Sequence, residues 1–538
     1  MKTKNSFDKS DWEKLKNEPP EWFRDAKFGL FFHWGPYCVP ACENEWYSRN
    51  MYAKGLSQNK YHVENYGQLK DFGYKDFYTM FRGENFDPEA WAELALRAGA
   101  KYAGPVTEHA DNFSMWDSQV NPVNSVTHGP GRDVTGECAA ALRKRGIKVL
   151  STFHHQWLWG WFMSTDNEAD VYDPANEKYY WEALPLETNR YAPYRLPDDK
   201  FNQMWYAKVR EVIDKYKPDA IYFDSRTNII DENTRYGIAE YYYNQAGKSQ
   251  TSDNQKGKSQ TGINLTGKSQ TNISQTDISQ TGNINNSNSC EVYEPIITYK
   301  QEDFPQDIGV YDIECGRFAT AKPYAWQTDD RLEDQITWCI VQNPKYKSAR
   351  TIIHQLCDVT AKNGNLLLNV GPKADGTFAE EATKELYAIG DWLKINGEAI
   401  YGTRPYRIAG EGPSTITDDN YDIERIQQQT ERGLAADVRS NELTSKDIRF
   451  TQKKSANSSE SSFIYAILMG WPGENTEIAT AGEILVSSIT SNNNEKIRSA
   501  QMLGIQDKLD FRQTEQGTYV TLPNTKPCDH AYTIKFEV

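Results

Sequence analysis

The chain has 538 residues, well beyond the roughly 250 of a typical α/β barrel, so a second folded unit or large insertions must accompany any single barrel. Acidic residues (75) outnumber basic ones (60) for a formal charge of −15, which argues against a nucleic-acid backbone or an anionic membrane surface as partner. No run approaches the roughly 20 apolar residues that cross a bilayer, and the start MKTKNSFDKSDWEKL has no apolar core of a targeting segment.

In chain order, apolar runs alternate with helical patterns, and each run ends in residues able to do chemistry. GLFF runs into His33-Trp34-Gly35. The helical pattern AWAELALRAGA, with Gly99 as its C-cap, leads to YAGPV and then Glu108-His109. DVTGECAAALRKRG closes at Gly146 before KVLSTF, which delivers His154-His155. In WYAKVREVIDKY, Trp205, Val209, Val212, Ile213 and Tyr216 recur at helical spacing, Lys217-Pro218-Asp219 stops the helix, and AIYF ends in Asp224. EPIITY ends in Lys300. Repeated helix-to-strand units imply a parallel sheet, and strand ends bearing polar residues from distant segments imply a closed barrel with its site at one face. An open doubly wound sheet is the rival, but no GxGxxG or P-loop follows the first strand.

Residues 247–290 break this grammar. GKSQT starts at Gly247, Gly257 and Gly267 and gives way to NISQT and DISQT. Such sequence has too little apolar surface to offset the entropy of ordering it, so a disordered surface insertion is expected. After residue 406 the helical patterns end, and FIYAILMGW, EILVSSI, TYVTL and YTIKFEV follow among Asn, Gly and Pro. The predicted architecture is therefore α/β: a (β/α)8-like (TIM-type) barrel over 1–406, then an all-β sandwich over 407–538. The eight cysteines form no CxxC pair and no zinc-finger spacing, so reduced, buried thiols are expected.

The strand-end residues fit chemistry done by two carboxyl groups, as in hydrolysis of a glycosidic bond with retention. Asp224 closes the clearest buried strand, where a short side chain is held rigidly as a nucleophile requires. Glu314, in the apolar stretch GVYDIECGR, would have its pKa raised by desolvation as a general acid requires; its bland alternative is an ion pair with Arg317. Glu45 in NEWYSRN and Glu108 in VTEHADNF are rivals for that role, or contacts to substrate hydroxyls. Four of the eight histidines, His33, His109, His154 and His155, fall at strand ends. A metal site is the rival reading of that set, but the HxH of metal-dependent barrels is missing, and neutral hydrogen-bonding groups toward hydroxyls require fewer assumptions. No metal and no cofactor is expected.

KFGLFFHWGPYCVPACENEWYSRNMY, GAKYAGPVTEHADNFSMWDS, YKPDAIYFDS and NGNLLLNVGPKADGTFAEEATKELYAIGDWLKINGEAIYGTRPY, in that order over residues 20–407, resemble the α-L-fucosidases of glycoside hydrolase family 29. GWP in the terminal region is similar to the β-domain of such enzymes. The resemblance implies Asp224 of the YFD triplet as nucleophile and Glu314 as acid/base. It further implies contacts to the sugar from His33, Glu45, Trp46 and His109, with Lys300 in place of a basic residue near the pocket. Trp34, Phe31 and Tyr222 would offer a surface to the C6 methyl, and Glu108, His154, His155 and Trp326 join the candidate substrate contacts. Where many members carry Lys-His-His-Asp-Gly-Phe, this chain has Glu108-His109-Ala110-Asp111-Asn112-Phe113; one imidazole is absent, and one from the third strand is expected to compensate. Gln327 in WQTD replaces a glutamate and leaves Glu314 as the acid. The implied substrate is a fucosylated oligosaccharide or fucan, which favours a secreted or periplasmic setting. A related glycosidase for sulfated fucose or α-L-galactosides, and a non-catalytic glycan-binding barrel, are the alternatives.

Overall fold

The computed structural model describes residues 10–183, 195–246, 292–300, 303–414, 443–454, 462–472, 482–493 and 495–538. The repeat-bearing insertion expected at 247–290 lies outside the described residues.

Eight strands, β1 (Phe28–Phe32), β2 (Tyr102–Glu108), β3 (Lys148–Phe153), β4 (Ala220–Phe223), β5 (Ile296–Lys300), β6 (Val310–Glu314), β7 (Trp326–Arg331) and β8 (Gly364–Asn369), close into a barrel in sequence order. Every neighbouring pair is parallel, including β1 with β8. Helices α1 (Pro88–Ala98), α2 (Val134–Lys144), α3 (Asp199–Tyr216), α4 (Glu232–Tyr243), α5 (Ala349–Ala361) and α6 (Glu380–Asn396) connect or follow six of the strands. Gly99 caps α1 at φ 90°, and Lys217, at the head of the expected Lys-Pro-Asp stop, caps α3 at φ 45°; α2 is capped by Arg145 at φ −98°, with the expected Gly146 following at φ 70°. The β6–β7 link, 315–325, holds no helix, and neither do the described residues between β5 and β6. Both links are shorter than the dozen or more residues that a helical crossover needs.

Side chains alternate between two cores, as strand geometry demands. Phe31, Tyr102, Val106, Leu150, Ala220, Tyr222, Ile296, Val310 and Leu367 fill the barrel interior. Phe28, Leu30, Phe32, Ala103, Val149, Phe153, Ile221, Phe223 and Ile297 face the helices in a separate, larger cluster. One irregularity matters for function. Between β2 and β3 the register runs from Val106↔Thr152 to Glu108↔Phe153, so two residues on β2 oppose one on β3.

The C-terminal region is all antiparallel. β9 (Arg404–Glu411), β10 (Ile448–Lys454), β11 (Ser462–Leu468), β13 (Ser499–Met502) and β16 (Tyr532–Glu537) form one sheet, and β12 (Glu483–Val486), β14 (Phe511–Thr514) and β15 (Gly517–Thr521) a second. The two share a core that includes Phe450, Ile464, Met502, Val520 and Phe536. The first sheet already takes in β9 from Arg404, slightly ahead of the boundary read from sequence. Buried Arg449 on β10 donates from Nε to Asp358 on α5 at 2.6 Å, and the Trp392 indole on α6 donates to the carbonyl of Ala531 at 2.8 Å, joining this region to the barrel's helices.

Packing between β2 and β3 leaves no room for a side chain at Gly104, where an added Cβ would lie 1.8 Å from the Leu150 carbonyl oxygen. Gly104→Ala is expected to cost on the order of 3 kcal/mol as an overpacked core site, read as a thermal midpoint several degrees lower in calorimetry.

Candidate active site

Strand alternation decides which side chains reach the mouth of the barrel. Continuing the inward series, β1 (Gly29, Phe31) points His33 inward, β3 (Leu150, Thr152) points His154, β4 (Ala220, Tyr222) points Asp224 and β6 (Val310, Asp312) points Glu314. On β2 the same series would aim Glu108 inward. The extra residue at the bulge reverses this, so Glu108 turns out toward α3 and His109 turns in. The result is one small cavity of about 90 Å³ lined by His33, Glu45, Trp46, His109, His154, Trp157, Tyr222, Asp224, Ser225, Glu314, Asp329 and Trp338. It sits at the C-terminal ends of the strands, where barrel enzymes carry their sites.

Asp224 is held from several sides. The Trp157 indole N–H donates to its Oδ2 at 3.0 Å, His154 Nδ1 lies 3.2 Å from the same oxygen, and the Tyr222 hydroxyl donates to Oδ1 at 3.4 Å. Burial pushes its carboxyl up, but His154 and the Lys300 ammonium outweigh this and keep it below the ordinary carboxylate range. Glu314 behaves oppositely. Burial, reinforced by the charges of Asp329 and Asp224 and opposed by Lys300, pushes it up to about 7. The ion pair that could have claimed it is absent from its neighbourhood: Arg317 lies 3.6 Å from Asp358 instead. One cavity thus holds one acid that stays ionised and one that stays protonated to near neutrality, the division of labour that acid/base chemistry on a sugar needs.

The remaining walls mix hydrogen-bonding and apolar groups. His33 donates from Nδ1 to Asn369 Oδ1 at 2.7 Å, and Asn369 is fixed in turn by donating to the Trp338 carbonyl at 2.6 Å. Glu45 accepts from the Trp338 backbone N–H at 2.8 Å, and burial raises its pKa. Trp46 packs against Trp157 and Trp161 at 5.3 and 4.8 Å between ring centroids.

Several expected substrate contacts lie elsewhere. Trp34 is packed among Phe81, Phe86 and Trp91 and donates to the Lys373 carbonyl. Glu108 is locked to Lys208 and Ser114, each at 2.5 Å, because of the bulge. His155, next to inward-facing His154, points outward by strand alternation and stacks on Trp205 at 5.6 Å. Trp326 faces outward, donates to the Lys362 carbonyl and packs on Phe318. Phe31 lies beneath His33, at 5.1 Å. Lys300 points inward but does not line the cavity; it bonds Asp312 at 2.6 Å and Asp329, with the Tyr222 hydroxyl donating to Asp329 Oδ2 at 3.1 Å. Gln327, in the same layer, bridges Asp312 at 2.6 Å and the Tyr102 hydroxyl at 2.7 Å. Trp157, Ser225, Asp329 and Trp338 are wall residues that the sequence reading does not include. The WQTDDR strand carries part of a signal for Asp329: it is fully buried yet polar at five consecutive positions, so both of its faces must meet polar partners, although that run does not tell Asp329 from Asp330.

Two carboxyls at the C-terminal mouth of a closed eight-stranded barrel are an arrangement that glycoside hydrolases use. Residues 1–398 match the family model for alpha-L-fucosidase, and residues 440–537 match that for the alpha-L-fucosidase C-terminal domain. The chain belongs to the alpha-L-fucosidase family. Among its relatives, the tissue alpha-L-fucosidases of Homo sapiens and Bos taurus are each 27% identical, with 98% of this chain covered and 91% and 90% of theirs. A Thermotoga maritima alpha-fucosidase crystallised with a mechanism-based inhibitor shares the fold at TM-score 0.66 and 23% identity, covering 98% of both chains. A Bacteroides thetaiotaomicron family 29 alpha-L-fucosidase, described as a trapped covalent intermediate, does so at TM-score 0.59 and 15% identity, covering 97% of this chain and 96% of that one. No helix among the described residues is long and apolar enough to cross a membrane.

Removing the ammonium from beneath the cavity leaves buried acids without a cation. Lys300→Met is expected to cost about 3–5 kcal/mol, as for other broken buried pairs. The stranded carboxyls hold their protons more tightly when folded than when unfolded, so the deficit should grow as pH rises; denaturant titrations at two pH values check this.

Proposed function

We propose that this enzyme hydrolyses terminal α-L-fucosides of fucosylated glycans with retention of configuration. An oxygen of the Asp224 carboxylate attacks the anomeric carbon while Glu314 gives its proton to the departing glycosidic oxygen, producing a fucosyl ester on Asp224. Glu314, now ionised, takes a proton from water as that water attacks the same carbon, and the ester bond to Asp224 breaks. The observation that carries this reading is the opposite pKa displacement of Asp224 and Glu314 within one cavity. His33, His109, His154 and Glu45 supply donors and acceptors for ring hydroxyls, and Trp46, Trp157 and Trp338 supply apolar walls for the C6 methyl. At about 90 Å³ the cavity is far below the roughly 300–1,000 Å³ of pockets for larger ligands, which favours a single terminal ring. Fucosylated glycans lie mostly outside cells, and an extracellular or periplasmic setting fits that substrate.

Asp224→Ala should lower turnover of an aryl α-L-fucoside by several orders of magnitude with an unchanged thermal midpoint; retained activity would remove the nucleophile assignment. Glu314→Ala should recover rate when azide is added, with the glycosyl azide formed in the substrate's own anomeric configuration.

The pH profile gives a separate check. Glu314 must be protonated to act as the acid, so kcat/KM should fall as pH rises through about 7, while ionised Asp224 sets an acid limb below the ordinary carboxylate range. In Glu314→Gln the limb near neutrality should vanish.

A further inference from the structure

The cavity contains a cluster with a second chemical capability. His33, His109 and His154 are all buried, and one nitrogen from each lies within 4.8 Å of those of the other two. Their rings are mutually packed, with centroids 5.8 Å apart for His33 and His109, 5.1 Å for His33 and His154, and 5.0 Å for His109 and His154.

Two of the rings have their proton position set from behind. Asn369 Oδ1 can only accept, so His33 carries its hydrogen on Nδ1 and presents the Nε2 lone pair. The Asp224 carboxylate faces His154 Nδ1 at 3.2 Å and fixes a proton there, leaving Nε2 as the other ring nitrogen, a buried atom with no hydrogen-bond partner. His109 has a buried Nδ1 that also lacks a partner. Imidazoles oriented by an amide or carboxylate on the far nitrogen are how proteins prepare nitrogen ligands for zinc.

We propose that His33, His109 and His154 form a binding site for a borderline transition-metal dication such as Zn²⁺ or Co²⁺, which occupies the cavity in place of substrate and inhibits the enzyme reversibly. Metal–nitrogen bonds of about 2.0–2.1 Å place tetrahedral ligands roughly 3.4 Å apart, so the rings must draw together by up to about 1.4 Å from the present spread. That spread leaves room for a sugar hydroxyl between them, which is why ion and sugar exclude each other. The Asp224 carboxylate in the same cavity adds a field that favours a cation, while three nitrogen ligands select against Mg²⁺ and Ca²⁺. The ion has no part in the reaction; it acts as a competitor. The ligand set does not depend on which sugar is cleaved, whereas the inhibition arm of the test rests on the proposed function.

The test uses the full chain after dialysis against chelator. Addition of CoCl₂ should produce the intense visible d–d bands of a tetrahedral nitrogen-ligated ion, MgCl₂ should neither produce nor suppress them, and His109→Gln should lose them. Asp224→Ala, which removes the group orienting His154, should retain the bands with affinity weakened about 10–100-fold. Zinc should inhibit aryl-fucoside hydrolysis competitively and be reversed by EDTA. Should His109→Gln misfold, zinc on the unaltered chain should protect these three histidines together from diethyl pyrocarbonate, read by peptide mass spectrometry. Absent bands, bands or inhibition that persist in folded His109→Gln as they would for an ion on thiols, or protection of other histidines only, would overturn the site. If the chain cleaves no aryl fucoside, the functional reading fails while the cobalt spectrum still decides this one.

Discussion

One buried ammonium underlies the chemistry at the barrel mouth. Lys300 projects into the interior from the end of β5, where burial alone would discharge it, but Asp312 and Asp329 hold its pKa well above the ordinary range. Through Tyr222, which touches both Asp329 and Asp224, and through Gln327, which ties Asp312 to Tyr102, the ammonium anchors a polar layer across the barrel. Lys300 helps lower Asp224 and tempers the rise in Glu314. A barrel filled only by aliphatic side chains would pack as well, but it could not keep two nearby acids in opposite protonation states.

The second group that separates those acids is His154, which faces Asp224 Oδ2 alongside the Trp157 indole. Glu314 has no comparable counter-group on its own strand, and its candidate partner Arg317 is drawn off to Asp358. Asp358 also receives Arg449 from the C-terminal sheet and Lys362 at 2.7 Å. The same carboxylate therefore helps dock the β-domain and removes a cation that would otherwise compete for the acid.

Much of this was legible in sequence wherever two simple periodicities operate. The helix-to-strand units, the C-cap at Gly99, the stop at Lys217-Pro218-Asp219 and the strand-end Asp224 follow from helical spacing, breaker residues and strand-end position. Glu314 could be found because desolvation in an apolar stretch predicts a raised carboxyl. What escaped depends on relations between strands. Whether His154 or His155 faces inward is decided by barrel register, and whether Glu108 or His109 does is decided by an extra residue in β2. The resemblance implies Lys300 as a basic residue near the pocket; its partners on β6 and β7, distant in sequence, draw it into the layer beneath. Trp338 lies in a loop without periodicity, where composition says nothing of direction.

The β2 bulge has a consequence for how such a site could change. Side-chain parity along a strand is binary, so the kink acts as a toggle: drawing β2 into unbroken alternation with every residue kept would swing Glu108 into the mouth and turn His109 to the helices, whereas excising the surplus residue would leave both facing as they do now. The irregularity of the ladder, and not the order of residues alone, thus decides that an imidazole and not a carboxylate is offered at this point of the mouth.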